Sequence, residues 1–166
     1  MDADLDGLPS RVERLLEAAV RSGMLPGAVA AWSLGDGPTM TVAVGSDSVL
    51  ASKRPTDADT CYDLASLTKP LVAGSLALVA VAEGRLELDT RVREVLPDAV
   101  RTPVGDRSVA HLLTHTSGLP AWAPVYALSR GEPSRATEAV LGIPVESVAG
   151  ARVCYSCLGF LVLGAM

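Results

Sequence analysis

The stretch Asp63-Leu64-Ala65-Ser66-Leu67-Thr68-Lys69-Pro70 sets a hydroxyl and an amine three residues apart, where a helix is expected to start. On a helix, side chains at i and i+3 share one face, so the Lys69 amine reaches the Ser66 oxygen. Such a pair can make a nucleophile, because a serine hydroxyl is weak until a neighbouring base takes its proton. The competing reading is a helix-capping Ser66 beside a solvated Lys69. With 14 serines in the chain, spacing alone does not decide between them. The basic residues sharpen the question, since lysine occurs only at Lys53 and Lys69, against 12 arginines. A guanidinium stays protonated, whereas an amine desolvated in a pocket can lose its proton near neutral pH and act as a base.

Working outward, the chain before this stretch predicts a helix and a hairpin. Leu8 to Ser22 carries Val12, Leu15, Leu16 and Val20 at helical spacing among arginine and glutamate, and ends before Gly23. Ala28 to Leu34 and Thr39 to Val44 are apolar, β-prone runs separated by Gly35-Asp36-Gly37-Pro38, the composition of a turn. Gly45 to Asp59 is then a polar loop, and Thr60 to Leu64 a short extended piece. After it, a helix is expected from Ser66 to Glu83 with Gly84 as its C-cap. Short helices are expected at Val92 to Leu96, stopped by Pro97, at Ser108 to Thr114, and at Glu132 to Leu141. Tyr155 to Met166 reads as a last apolar helix. A two-stranded hairpin is rarely stable alone and apolar helices need a sheet to cover. The architecture is therefore α+β with an incomplete sheet, a single incomplete domain over 1–166 in which 8–60 hold the helix and hairpin and 61–166 are mainly helical.

Composition limits the functions open to such a chain. At 166 residues, 49% hydrophobic and 20% charged, it is globular rather than disordered. A net charge of −5, with no basic cluster, argues against nucleic acid as a partner. The longest apolar run, Leu71 to Ala82, is interrupted by Gly74 and Ser75 and reads as a buried helix rather than a membrane span. The acidic start Met1-Asp2-Ala3-Asp4-Leu5-Asp6 lacks the basic segment of a secretory signal, which predicts a cytoplasmic location. Three cysteines, Cys61, Cys154 and Cys157, give an odd count that favours free thiols over a disulfide framework. Cys154-Tyr155-Ser156-Cys157 spells C-x-x-C, without the strand before it or the second ligand pair that redox or zinc use requires. His111 and His115 stand at i and i+4, but Leu112 occupies the place of the metalloprotease glutamate, so no metal is assigned. No Gly-x-Ser-x-Gly elbow or phosphate-binding loop is present, and no cofactor is expected.

Four segments in matching order carry a resemblance. Asp63 to Lys69 looks like the first motif of the serine β-lactamase and penicillin-binding-protein superfamily, in its class C β-lactamase, esterase and D-aminopeptidase branch. Leu86 to Val95 resembles that branch's Leu-x-Leu-Asp-x-x-Val element. Leu112-Leu113-Thr114-His115-Thr116-Ser117-Gly118-Leu119 resembles its Leu-Leu-x-His-Thr-Ser-Gly-Leu signature, and Tyr155-Ser156-Cys157 its Tyr-Ser/Ala-Asn motif. The resemblance covers roughly residues 8 to 166 and implies a β-lactamase/transpeptidase-like fold. It implies Ser66 as nucleophile on an ester, amide or β-lactam carbonyl of a small molecule, with Lys69 and Tyr155 sharing its proton. It also implies that His115 fixes a loop by hydrogen bonding. Without it, Tyr155 reads as a packed aromatic with a bonded hydroxyl.

Two departures qualify the implied chemistry. Cys157 stands where the motif has a substrate-binding asparagine, and a thiol neither donates nor accepts as well as an amide. The superfamily's third motif, Lys/His-Thr/Ser-Gly, follows the tyrosine motif, and here eleven residues follow Tyr155. That motif supplies an oxyanion N–H, whose loss costs about 3 kcal/mol of barrier. The expectation is a serine hydrolase represented by its N-terminal part, truncated and weakly active or inactive, with a non-catalytic binding or scaffold member of the same fold as the alternative.

Overall fold

A computed structural model describes residues 7–166; the acidic stretch before Gly7 lies outside the described residues. The chain divides into two compact units, Met1–Asp63 and Leu64–Met166. In the first, α1 (Leu8–Arg21) packs on a hairpin of β1 (Gly27–Trp32) and β2 (Met40–Gly45). Val12, Leu16 and Val20, spaced by four, are half-buried along one stripe of α1, with Ala19 beside them. Leu15, expected on that stripe, is exposed, because one step from Leu16 turns a side chain about 100° around the axis. The strands pair antiparallel from Gly27 opposite Gly45 to Trp32 opposite Met40, and they are the two strands of the sheet among the described residues. The sheet is thus open, as its two predicted strands require.

The second unit holds the hydrophobic core. Its helices are α2 (Ser75–Ala82), α3 (Val92–Val95), α4 (Val109–Leu113), α5 (Val125–Leu128), α6 (Ala136–Leu141) and α7 (Cys157–Ala165). Val92, Val104, Val109, Leu112, Val140, Leu158 and Val162 are fully or almost fully buried together. The Leu86 to Val95 segment is tied to the strand-like approach to α4. Val92 N–H donates to the Arg107 carbonyl at 2.9 Å, Val109 N–H to Thr90 at 3.0 Å, and Ala110 N–H to Leu88 at 2.9 Å. Ser108 caps α4, its hydroxyl accepting from the His111 N–H at 3.3 Å.

Three expectations change. The segment 60–64 is irregular rather than extended. The helix expected from Ser66 is composite: a 3-10 turn at Ala65–Leu67, a π-helical turn at Lys69–Gly74, then α2. Pro70 removes one backbone donor from the ladder, which favours a widened turn, and Gly74 accommodates it; a Cβ there would sit 3.2 Å from the Lys69 carbonyl oxygen. The helix α2, expected to be buried, contributes Ala77 to the core, but Leu76 is 63% and Leu78 59% exposed. The whole run Ala65–Ala82 is long and apolar enough to cross a membrane, with a mean hydropathy of 1.6.

Candidate active site

Ser66 is the second residue of the 3-10 turn, which Leu67 N–H closes onto the Leu64 carbonyl at 2.9 Å. Ala65, just before it, adopts φ +44°, a left-handed conformation that costs a residue with a Cβ about 1 kcal/mol or more. The turn and the following Lys69 bring the two side chains together, with Lys69 Nζ donating to Ser66 Oγ at 3.4 Å. Both groups lie at the open mouth of a groove of about 560 Å³ lined by Leu64, Leu67, Pro70, Leu113, Tyr155 and Phe160.

Tyr155 enters this groove from a loop rather than from a helix. Sequence reasoning began the last helix at Tyr155; its first residue is Cys157, because Ser156 acts as N-cap and accepts from the Gly159 N–H at 3.3 Å. Ser followed by an apolar run is a recognisable cap signal and could have placed this boundary. Ser156 is fully buried and its hydroxyl also donates to the Pro120 carbonyl at 2.7 Å. Cys157 N–H donates to Ala121 at 3.0 Å. The same loop is held from the other side by His115, whose carbonyl accepts from Cys154 N–H at 2.8 Å and whose Nδ1 accepts from Ser156 N–H at 3.0 Å. The His115 ring lies 4.5 Å from the Tyr155 ring and 5.1 Å from that of Phe160. His111 is engaged elsewhere, its Nδ1 accepting from Ser108 N–H at 3.2 Å, so the two histidines serve separate loops.

The electrostatics follow from this placement. Lys69 Nζ sits 5.1 Å from the centre of the Tyr155 ring, within cation–π range. The Ser66 hydroxyl, and after it the Lys69 ammonium, hold the Tyr155 phenol below its usual range by favouring the phenolate. Burial pulls the Lys69 amine down, but the Tyr155 hydroxyl and the negative charge that Cys157 and Tyr155 acquire outweigh it, so Lys69 lies above its ordinary value. This differs from the expectation of an amine that sheds its proton near neutral pH: Lys69 is half-buried in a groove with apolar walls, but the Tyr155 hydroxyl and the Cys157 thiol face it there. His115 is pushed down, by burial first and the Lys69 charge second. The Cys157 side chain reaches Lys69, and Cys157 also lines an adjacent groove with Trp122, Val125 and Tyr126. All three cysteines are free thiols.

A family model described as Beta-lactamase matches residues 12–166. The chain belongs to the beta-lactamase family. Among its relatives is the esterase EstB of Burkholderia gladioli, 39% identical over 124 residues, a match covering 72% of this chain and 31% of that protein. Another is the ML-236A carboxylate methylbutanoyltransferase mlcH of Penicillium citrinum, 32% identical, with 68% of this chain and 32% of that protein covered. A solved class C β-lactamase superposes with a TM-score of 0.81 at 25% identity, covering 98% of this chain and 44% of that one. The fold is β-lactamase/transpeptidase-like. The chain spans about a third of the length of these curated relatives of the family and less than half of that solved structure.

Proposed function

We propose that the chain is a serine hydrolase acting through an acyl-enzyme on an ester, amide or β-lactam carbonyl, and that in its 166-residue form it is weakly active or inactive. The observation carrying this reading is the approach of Lys69 Nζ to Ser66 Oγ at 3.4 Å with the Tyr155 phenol beside them. With Lys69 held as an ammonium, the phenolate of Tyr155 is the proton acceptor. Ser66 Oγ attacks the carbonyl as its proton passes to Tyr155, so the negative charge that Lys69 stabilised on the phenolate moves to the carbonyl oxygen of the tetrahedral intermediate. Tyr155 then returns the proton to the departing alcohol or amine, and water, deprotonated by the same phenolate, releases the acyl group from Ser66. In this reading the backbone N–H groups of the turn that begins at Ala65 lie next to the attacking oxygen and help to stabilise the oxyanion. The name of EstB favours an ester among the candidate substrates.

Exposure of the site is what weakens the activity. Ser66 and Tyr155 lie open to water, where each electrostatic contact is weaker than in a closed site. The second reading, a binding or scaffold member without turnover, is favoured by one observation: Cys157 stands where the family's motif has an amide, and its thiol is a weaker hydrogen-bonding partner beside Lys69.

Exposure of the purified chain to an alkyl fluorophosphonate, followed by intact-mass and peptide analysis, separates the two. One adduct on Ser66 that Ser66→Ala abolishes is the expected result. A folded chain that stays unlabelled by both the fluorophosphonate and a penicillin probe overturns the hydrolase reading.

A further inference from the structure

We infer that His115 is the positioning residue that holds Tyr155 against Ser66 and Lys69, and that it does so only while its ring is neutral. The inference rests on the proposed role of Tyr155 and goes beyond it to the device that places the phenol. His115 touches both backbone neighbours of Tyr155: its carbonyl takes the N–H of Cys154 and its Nδ1 takes the N–H of Ser156. The ring itself packs against the phenol at 4.5 Å. The loop is thereby gripped at three points by one residue, and that residue is at φ +58°, a left-handed turn that aims its carbonyl and its ring at the same loop.

The tautomer follows from the donor. Ser156 N–H can only donate, so Nδ1 must be bare and Nε2 must carry the proton in the neutral ring. Protonating Nδ1 would set two N–H groups against each other, remove the bond to Ser156 and place a cation beside the Lys69 ammonium. The titratable groups at the ring are Lys69 on the segment leading to α2 and Tyr155 on the gripped loop, which share its groove, while Cys154 meets the His115 carbonyl through its backbone N–H. Of these, Lys69 is the cation that disfavours a charged His115, and burial acts in the same direction. The neutral ring is therefore the resting form at pH 7.

Two measurements test this, one of them independent of catalysis. In a Tyr62→Phe/Tyr126→Phe background, the remaining phenol titrates by ultraviolet absorbance. Its midpoint lies below the ordinary value of about 10 and is expected to move up toward it in His115→Leu, because the phenol leaves Ser66 and Lys69. His115→Asn, whose amide oxygen can accept the Ser156 N–H and which tolerates a left-handed backbone, is expected to restore most of the downward shift. An unchanged midpoint in folded His115→Leu overturns the inference. Should His115→Leu not fold, the parent chain decides: the Ser156 amide resonance is expected to titrate with the His115 ring below about 6.5, and an amide flat across that titration overturns the inference equally.

The second measurement is the pH profile of Ser66 labelling. Its logarithm is expected to rise with slope one up to the midpoint of Tyr155 and to steepen to slope two below the midpoint of His115, with the steepening absent in His115→Asn. A steepening that survives in His115→Asn overturns the neutral-ring requirement. If the phenol shift responds to His115 while Ser66 stays unlabelled in every variant, the hydrolase reading fails and the positioning role stands.

Discussion

At Tyr155 two neighbours favour the phenolate, and they can be ranked. The Ser66 hydroxyl has the larger influence and the Lys69 ammonium the next. Removing either partner is expected to raise the phenol midpoint toward about 10, Ser66→Ala more than Lys69→Met, as read by absorbance in the chain stripped of its other tyrosines. Equal shifts, or a larger one from Lys69→Met, would reverse that ranking. Tyr155→Phe removes the proton acceptor altogether and is expected to slow labelling of Ser66 by about 10² to 10⁴. The pairing of Ser66 with Lys69 was legible in the sequence because helical spacing survives a change of helix type: in a 3-10 turn, i and i+3 still lie on one side. The protonation state of Lys69 was not legible. It depends on what faces the amine, and Tyr155 and Cys157 reach it from nearly ninety positions away.

Among the elements, α7 decides where Tyr155 stands. Its cap, Ser156, satisfies the Gly159 N–H and also donates to the Pro120 carbonyl, so one hydroxyl joins a helix start to a loop 36 residues earlier. Ser156→Ala is expected to destabilise the fold by about 2 kcal/mol, through the lost cap and a carbonyl left without its buried donor. A urea series that shows a lower midpoint at an unchanged slope would measure it. Leu112→Ala, on the helix that leads to His115, leaves a cavity in the core and is expected to cost about 2–5 kcal/mol by the same assay. The order of helix, hairpin and helices was legible from periodicity and from glycine and proline punctuation. The composite start of the α2 run was not, since a π turn saves no pattern in the sequence beyond Pro70 and Gly74. Nor was the short helix α5, four residues long between Pro124 and Ser129.

For the molecule as a whole, the unit Leu64–Met166 combines a tight core with an uncovered apolar side on α2. Leu76 and Leu78 on α2, and Leu71 on the π-helical turn before it, are more than half exposed. The chain is expected to bind a hydrophobic dye in the folded state and to self-associate as concentration rises, and Leu76→Glu with Leu78→Lys is expected to reduce both without lowering thermal stability. A monomeric parent that leaves the dye dark would contradict this. The sequence signalled an incomplete sheet, yet not this exposure, because hydropathy records that a helix is apolar and is silent on what lies against it. Ser66, Lys69, Tyr155 and His115 all lie within that one unit. A protease that nicks the exposed turn at Val49 to Lys53 therefore cuts outside the stretch that carries the chemistry, and any acylation this protein performs should outlive the scission. The proposed nucleophile and its partners thus sit on one contiguous length of chain.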